Sequence, residues 1–185
     1  MQNVLDFKVG GHFLEIGAGD GVEASNTLLL EQQFEWAGLS IELDPQLHQK
    51  FLNSRKTICL CEDATVWDSD KFLAIHSFPK RIDYLQIDID PGSQSLQALV
   101  NLPLSDYRFS VITFEHDYYV DQNPYVRDAS RNVLFSSGYH LFFAGVHTQG
   151  RNFEDWWLDP QVPEFRKYLD LQFENREAEE LFSGS

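Results

Sequence analysis

The stretch that most restricts this chain is His12-Phe-Leu-Glu-Ile-Gly-Ala-Gly-Asp-Gly21. Phe13, Leu14 and Ile16 form a short apolar run of buried-strand character. Gly17, Gly19 and Gly21 follow at alternate positions, and a helical pattern is expected to open at Val22. A strand, a glycine turn and a helix in immediate succession belong to α/β architectures that hold a ligand at the strand's end. Glycine is needed there because a side chain would keep a ligand off the backbone, and because such a turn calls for φ > 0. The first amides of the following helix, at the positive end of its dipole, would receive an anionic group.

The spacing of the glycines separates the possible ligands. A dinucleotide turn reads G-x-G-x-x-G around a pyrophosphate, whereas here the third glycine comes one residue early. Glu15 also puts a carboxylate before the turn, where it would repel a pyrophosphate and attract a cationic amino group. Those two features fit the zwitterionic, sulfonium-bearing S-adenosylmethionine better than a nicotinamide dinucleotide.

The chain's 185 residues, 43% apolar and 14% aromatic, suffice for one domain, residues 1 to 185, with its own core. Its 29 acidic residues against 14 basic ones give a formal charge of −15, which opposes approach to a phosphate backbone or an anionic membrane. Neither nucleic acid nor membrane is therefore an expected partner. Cys59 and Cys61, two residues apart on an expected strand, are poorly placed for a mutual disulfide and read as buried thiols of a reducing, cytoplasmic compartment. No signal or membrane-spanning pattern is visible.

Along the chain, Ala24, Leu28, Leu30 and Phe34 give a helical face up to Trp36, and Leu39 to Leu43 read as a second strand. Glu42 falls near the spacing, about 20 residues on, at which an acid ending the second strand meets ribose hydroxyls. Pro45 opens a second helix, Thr57 to Cys61 make a third strand, and Glu62-Asp63-Ala64 follow it. Asp63 is placed to accept from an adenine amino group, with Ala64 leaving room for the ring. Residues 68 to 78 form a weaker helix, Ile82 to Ile89 a fourth strand, and Leu96 to Val100 a helix stopped at Pro103. Phe109 to Phe114 form a fifth strand ending in Glu115-His116-Asp117, and a helix starts at Asn123-Pro124 and stops at Gly138. Tyr139 to Val146 and Phe153 to Leu158 are then two strands joined by a turn, with no crossover helix. Phe165, Leu169 and Phe173 suggest a covering helix near the end. The fold class expected is α/β, a Rossmann-like methyltransferase sandwich: a mostly parallel sheet with a C-terminal antiparallel hairpin and helices on both faces.

The chain resembles the FkbM-type family of S-adenosylmethionine-dependent methyltransferases. The matching stretches are Phe13 to Gly21, Ser25-Asn26-Thr27, Leu30-Glu31, Trp36 to Pro45, Ile82 to Asp90, and Arg131 with Gly138-Tyr139. The resemblance implies a class I fold and methylation of a hydroxyl on a sugar or small natural product. It also implies a methionine-binding turn of Glu15, Gly17, Ala18, Gly19, Asp20 and Gly21, with Ser25 and Asn26 toward the cofactor's carboxylate. Glu42 and Leu43 would meet the ribose side, Asp63 and Ala64 the adenine. Where the family commonly has an acid, a glycine and a glutamate after the fourth strand, this sequence reads Asp90-Pro91-Gly92-Ser93-Gln94.

Ligands of open α/β sheets sit outside the carboxyl ends of the strands. Asp88 and Asp90, then Glu115, His116 and Asp117, and finally His147 all lie at such ends. Methyl transfer to a hydroxyl needs a group to take its proton, and His116, Asp88 or Glu115 could serve. A divalent ion held by the same oxygen-rich cluster is the competing expectation, although Glu115 and Asp117 are expected not to face one another. The alternative in function is a cofactor fold that has lost its chemistry and acts as a binding or scaffold module. A dinucleotide-dependent oxidoreductase ranks behind both.

Overall fold

In a computed structural model, which describes residues 5–170 and 173–174, eight strands form one sheet. They are β1 (His12–Ile16), β2 (Ala37–Ile41), β3 (Ile58–Leu60), β4 (Arg81–Ile87), β5 (Arg108–Glu115), β6 (His140–Thr148), β7 (Arg151–Leu158) and the two-residue β8 (Phe173–Glu174). Their spatial order is β3-β2-β1-β4-β5-β7-β6-β8. The first five are parallel, because crossovers carrying α1 (Leu28–Phe34), α2 (Pro45–Ser54), α3 (Ser69–Ile75) and α4 (Gly92–Val100) return each strand to the same direction. Past β5 lie the short α5 (Tyr118–Asp121) and then α6 (Tyr125–Ser136). β7 runs antiparallel to both β5 and β6, the hairpin expected from the sequence.

Strand alternation gives the sheet two unlike faces. Leu14, Ile16, Leu39, Ile41, Leu85, Ile87, Ile112, Phe114 and Trp157 share one face and are buried with Leu73 of α3, Leu99 of α4 and Leu134 of α6. The opposite face begins apolar, with Phe13, Tyr84, Val111 and Leu158 packed on Leu30, Trp36 and Phe165. Toward the carboxyl ends it becomes polar: Ser40, Glu15, Gln86 and Thr113 lie side by side across β2, β1, β4 and β5, all buried. Tyr84 Oη joins this row, 2.7 Å from Thr113 Oγ1.

Three expectations are corrected. The first helix opens at Leu28, not Val22, because side chains take the amides a helix would need. Asp20 Oδ1 accepts from Val22 and Glu23, and Ser25 Oγ from Leu28. In place of a C-terminal covering helix there is a 3-10 segment, Pro163–Tyr168, and Phe173 belongs to β8. Phe173 stacks on Phe143 at 4.8 Å, so aromatic packing replaces the helical repeat; the remaining residues of that expectation lie outside the described ones. Cys59 is buried as expected, whereas Cys61 is exposed. Among the described residues no helix is long and apolar enough to cross a membrane.

Trp157 is fully buried and packs edge-on against Phe135 at 4.9 Å, tying the hairpin to α6. Trp157→Ala is expected to cost about 3–5 kcal/mol in urea denaturation, the loss typical of a large aromatic removed from a core. A cost below about 1 kcal/mol would mean that the hairpin is not part of the main core.

Candidate functional site

The carboxyl ends of β1, β2, β3 and β4 surround a cleft of about 670 Å³. Gly17 and Gly19 line it from the turn after β1, Glu42 and Leu43 from the end of β2, Asp63 and Ala64 from the segment after β3, and Asp88 from the end of β4. Glu42 ties the turn to the second strand. Its Oε2 accepts from the Gly19 amide at 2.7 Å and its Oε1 from the Asp44 amide at 2.7 Å. Asp63 Oδ1 accepts from the Thr65 amide and hydroxyl, which keeps its carboxyl below the ordinary range. Leu43 is more than half exposed at the rim, an apolar surface available to a flat ring.

The three glycines of the turn have separate reasons. A Cβ on Gly17 would fall 1.7 Å from the Asp88 carbonyl oxygen, and one on Gly21 2.5 Å from the Phe51 ring. Gly19, at φ +57°, would project its Cβ into space with nothing within 4 Å. Gly17 and Gly21 therefore serve packing, and Gly19 faces the cleft.

Glu15 does not reach the cleft. It is buried behind the turn, where Oε1 accepts from Thr27 Oγ1 and Oε2 from Ser40 Oγ, each at 2.7 Å. Burial raises its pKa, and those hydroxyls only partly oppose the shift. The expectation that Glu15 meets a cationic amino group is corrected on that ground. Ser25 is likewise engaged by Arg55, whose Nη1 donates to Gly21 O at 2.9 Å and to Ser25 Oγ at 3.1 Å. The same guanidinium donates from Nη2 to Thr27 Oγ1 and from Nε to Glu31 Oε2, both at 3.0 Å. Asp20, Ser25 and Asn26 are outside the cleft lining, and Ala18 is buried against Phe51 and Cys59.

Beside the cleft, carboxyl groups meet in a chain. Glu115 lies beside Asp88 on one side and Asp117 on the other, with one proton to share between them, and Asp117 neighbours Asp90. Glu115 and Asp117 thus do face one another, against expectation. Residues two apart on an extended chain share a face, and Asp117, at φ +51° just past the end of the strand, stays beside Glu115. Burial first, and then the charges of Asp88, Glu154 and Asp117, push Glu115 up to about 10, so it keeps its proton. Burial raises Asp88 to about 6, opposed by the bond from Glu115 and reinforced by the charges of Asp117 and Asp90. Glu154 of β7, directly across from Glu115, is raised by burial to about 7 despite a hydrogen bond from Trp156 Nε1. Nothing in the sequence reading pointed to Glu154, though two adjacent acids in the otherwise aromatic Phe153-Glu-Asp-Trp-Trp157 were visible. Among the described residues no three His, Cys, Asp or Glu side chains are arranged to hold a metal ion.

His116 is buried on the other face of the sheet edge. Its Nδ1 accepts from the Tyr118 amide at 3.2 Å, and its Nε2 lies 3.6 Å from Asp155 Oδ1. The ring is directed into the protein and not toward Asp88. His147 stands at the carboxyl end of β6, paired in register with Asn152, and β7 separates it from β5.

Solved structures share this fold. S. pombe Dnmt2 methyltransferase superposes with a TM-score of 0.59 at 15% identity, covering 93% of this chain and 53% of its own, so the present chain spans about half of that protein. M. capricolum TrmK, solved in complex with S-adenosylhomocysteine, gives 0.58 at 12% identity over 100% of this chain and 74% of its own. The chain has the class I methyltransferase fold. A TehB-like S-adenosylmethionine-dependent methyltransferase from Corynebacterium glutamicum ATCC 13032 also carries this fold, at a TM-score of 0.51 and 16% identity over 85% of each chain. No family model and no curated protein matches the sequence.

Two measurements check this geometry. Gly17→Ala, whose Cβ meets backbone, is expected to destabilise the protein by about 3 kcal/mol or more, and Gly19→Ala by only about 1 kcal/mol of backbone strain. Equal losses in urea denaturation would contradict the separate roles. For Glu115, the unfolded carboxyl titrates near 4.5 and the folded one near about 10. Its contribution to stability is therefore full below pH 4.5 and is lost as pH rises toward 10. Glu115→Gln should gain on wild type across that window, melting about 3 °C or more higher at pH 9 relative to its difference at pH 5. A constant difference would show that Glu115 is already ionised at pH 5.

Proposed function

We propose that the chain is an S-adenosylmethionine-dependent methyltransferase that methylates a hydroxyl on a small polar acceptor, a sugar or natural product of the kind the FkbM resemblance implies. The observation that carries this reading is the meeting of Gly19, Glu42, Asp63 and Asp88, from four consecutive strand ends, around one cleft. Its volume of about 670 Å³ is in the range of small-molecule and cofactor sites, about 300–1,000 Å³. Each Glu42 oxygen accepts one amide and keeps a lone pair for ribose hydroxyls. Asp63 Oδ2 is left for an adenine amino group, Leu43 for the ring face, and the turn at Gly19 for the methionine end.

When bound, S-adenosylmethionine supplies an electrophilic methyl group, and an acceptor lone pair takes it to leave S-adenosylhomocysteine. Asp88 is the group suited to receive the acceptor's proton. It ends β4 at the cleft and, with a pKa of about 6, is largely ionised at neutral pH while still basic enough to act. Glu115, which keeps its proton, donates to Asp88 and holds that carboxylate in place. His116, enclosed by protein on both ring nitrogens, is set aside as the base.

A small acceptor fits better than a polyanion. Asp90 and Asp117 line a second hollow, about 250 Å³, that adjoins the cleft at Asp90, and the chain carries −15 overall. Some solved structures of this fold are RNA methyltransferases by name, among them a putative tRNA (m1A22) methyltransferase from Streptococcus pneumoniae. The acidic hollow argues against a phosphate backbone here.

Titration calorimetry tests the reading. S-adenosylhomocysteine is expected to bind, and Glu42→Ala to weaken it at least about tenfold, some 1.4 kcal/mol. Equal binding of NADH, or of neither ligand, would overturn it. Once an acceptor is found, Asp88→Asn should lower turnover by about 10² to 10⁴, and wild-type activity should rise with pH through an ionisation near 6. A chelator that abolishes wild-type activity would return the proton-taking role to a metal.

A further inference from the structure

Glu154 and Asp155 are neighbours on β7, so their side chains leave the sheet on opposite faces. Glu154 joins the carboxyl chain beside the cleft. Asp155 is fully buried on the apolar face, a costly place for a charge. Burial alone would raise its pKa, but Arg131 and His116 outweigh that and hold it down at about 2. Arg131 of α6 donates from Nε to Oδ2 at 2.7 Å and from Nη2 to Oδ1 at 2.9 Å. Gly145 of β6, at φ +70°, turns its amide onto Oδ1 at 2.8 Å. Asp155 thereby joins α6, β6 and the turn after β5.

That turn carries the backbone strain. Asp117 is left-handed at φ +51°, a conformation costing a non-glycine residue about 1 kcal/mol or more. The residues around it are fastened to β7: the amides of His116 and Asp117 both donate to Phe153 O, at 2.7 and 3.2 Å. The His116 ring adds a link from the far side, accepting the Tyr118 amide at Nδ1 and presenting Nε2 to Asp155. His116 Nε2 is buried and has no hydrogen-bond partner, so the nearby Asp155 carboxylate is an electrostatic neighbour at 3.6 Å.

We infer that Asp155 and His116 are positioning residues that hold Asp117 in its left-handed conformation and so keep its carboxyl against Glu115 at the acceptor end of the cleft. The inference rests on the proposed function for the meaning of that end, but its geometry is independent of any ligand. The charged groups facing His116 are Asp155 from β7, Arg131 from α6 and Asp117 beside it. Those facing Glu115 are Asp88 after β4, Glu154 from β7, and Asp117, with Asp90 beyond Asp88 and Asp117. If Asp117 leaves, Glu115 loses one negative neighbour whose charge favours its protonated form, and ionises more readily.

The experiment is a carbon-13 NMR titration of the side-chain carboxyls in the intact chain, for wild type, Asp155→Asn and His116→Phe, with S-adenosylhomocysteine binding measured in parallel. Both variants are expected to bind S-adenosylhomocysteine within about threefold of wild type, because neither residue lines the cleft. In both, the proton affinity of Glu115 is expected to fall at least about tenfold, one pH unit in its midpoint. An unchanged Glu115 midpoint in either folded variant overturns the inference. Should Asp155→Asn not fold, His116→Phe, which leaves the Arg131–Asp155 pair intact, decides alone. Failure of wild type to bind S-adenosylhomocysteine would overturn the proposed function, and the Glu115 midpoints would still decide this one.

Discussion

The contact between Gly17 and the carbonyl of Asp88 governs the whole carboxyl edge of the sheet. β1 and β4 are neighbours in register, and the chain can turn out of β1 toward the cleft only where no side chain stands between the two backbones. The glycine therefore does more than permit a bend. It brings the turn that lines the cleft and the residue that carries the Asp88 carboxylate within one residue's width, so both are fixed by the same backbone approach. Glu42 completes the arrangement from the other side by holding the Gly19 amide.

The two faces of the sheet divide the labour. One is apolar apart from Asp155 and His116 and is buried under α3, α4 and α6, which supplies the main core. The other is apolar only in its lower half. Its upper half holds Glu15 bonded to Ser40, and Tyr84 bonded to Gln86 and Thr113, all buried, as such groups must be bonded if their burial is not to cost several kcal/mol. Glu115 and Glu154 continue that row to the rim, where burial favours their protonated forms.

Much of the fold was legible because alternation, glycines and strand lengths are local signals. The strand–turn unit at residues 12 to 21, the acids ending β2 and β4, and the closing hairpin could all be read from neighbours in the chain. The start of α1 could not, since Asp20 and Ser25 divert amides through side-chain bonds that the apolar periodicity at Ala24, Leu28 and Leu30 conceals. The role of Glu15 was misread for a similar reason. Its partners, Thr27 and Ser40, come from segments whose proximity depends on the β1–β2 register. Glu154 and Asp155 became visible as working residues only when β7 was found beside β5, since antiparallel pairing across a distant hairpin leaves no mark near Glu115 in the sequence.

Arg55 gives the glycine turn a property of its own. Residues 20 to 27 have no helical or strand hydrogen bonding and are secured from behind by one buried guanidinium that contacts Gly21, Ser25, Thr27 and Glu31. Glu31 in turn accepts from the amides of Lys56 and Thr57, at the entrance to the edge strand β3. Residues 20 to 27 therefore owe their anchorage to side-chain bonds, those of Arg55 to Gly21, Ser25 and Thr27 and that of Thr27 to the buried Glu15. One guanidinium fastens this segment, α1 and the approach to β3 together.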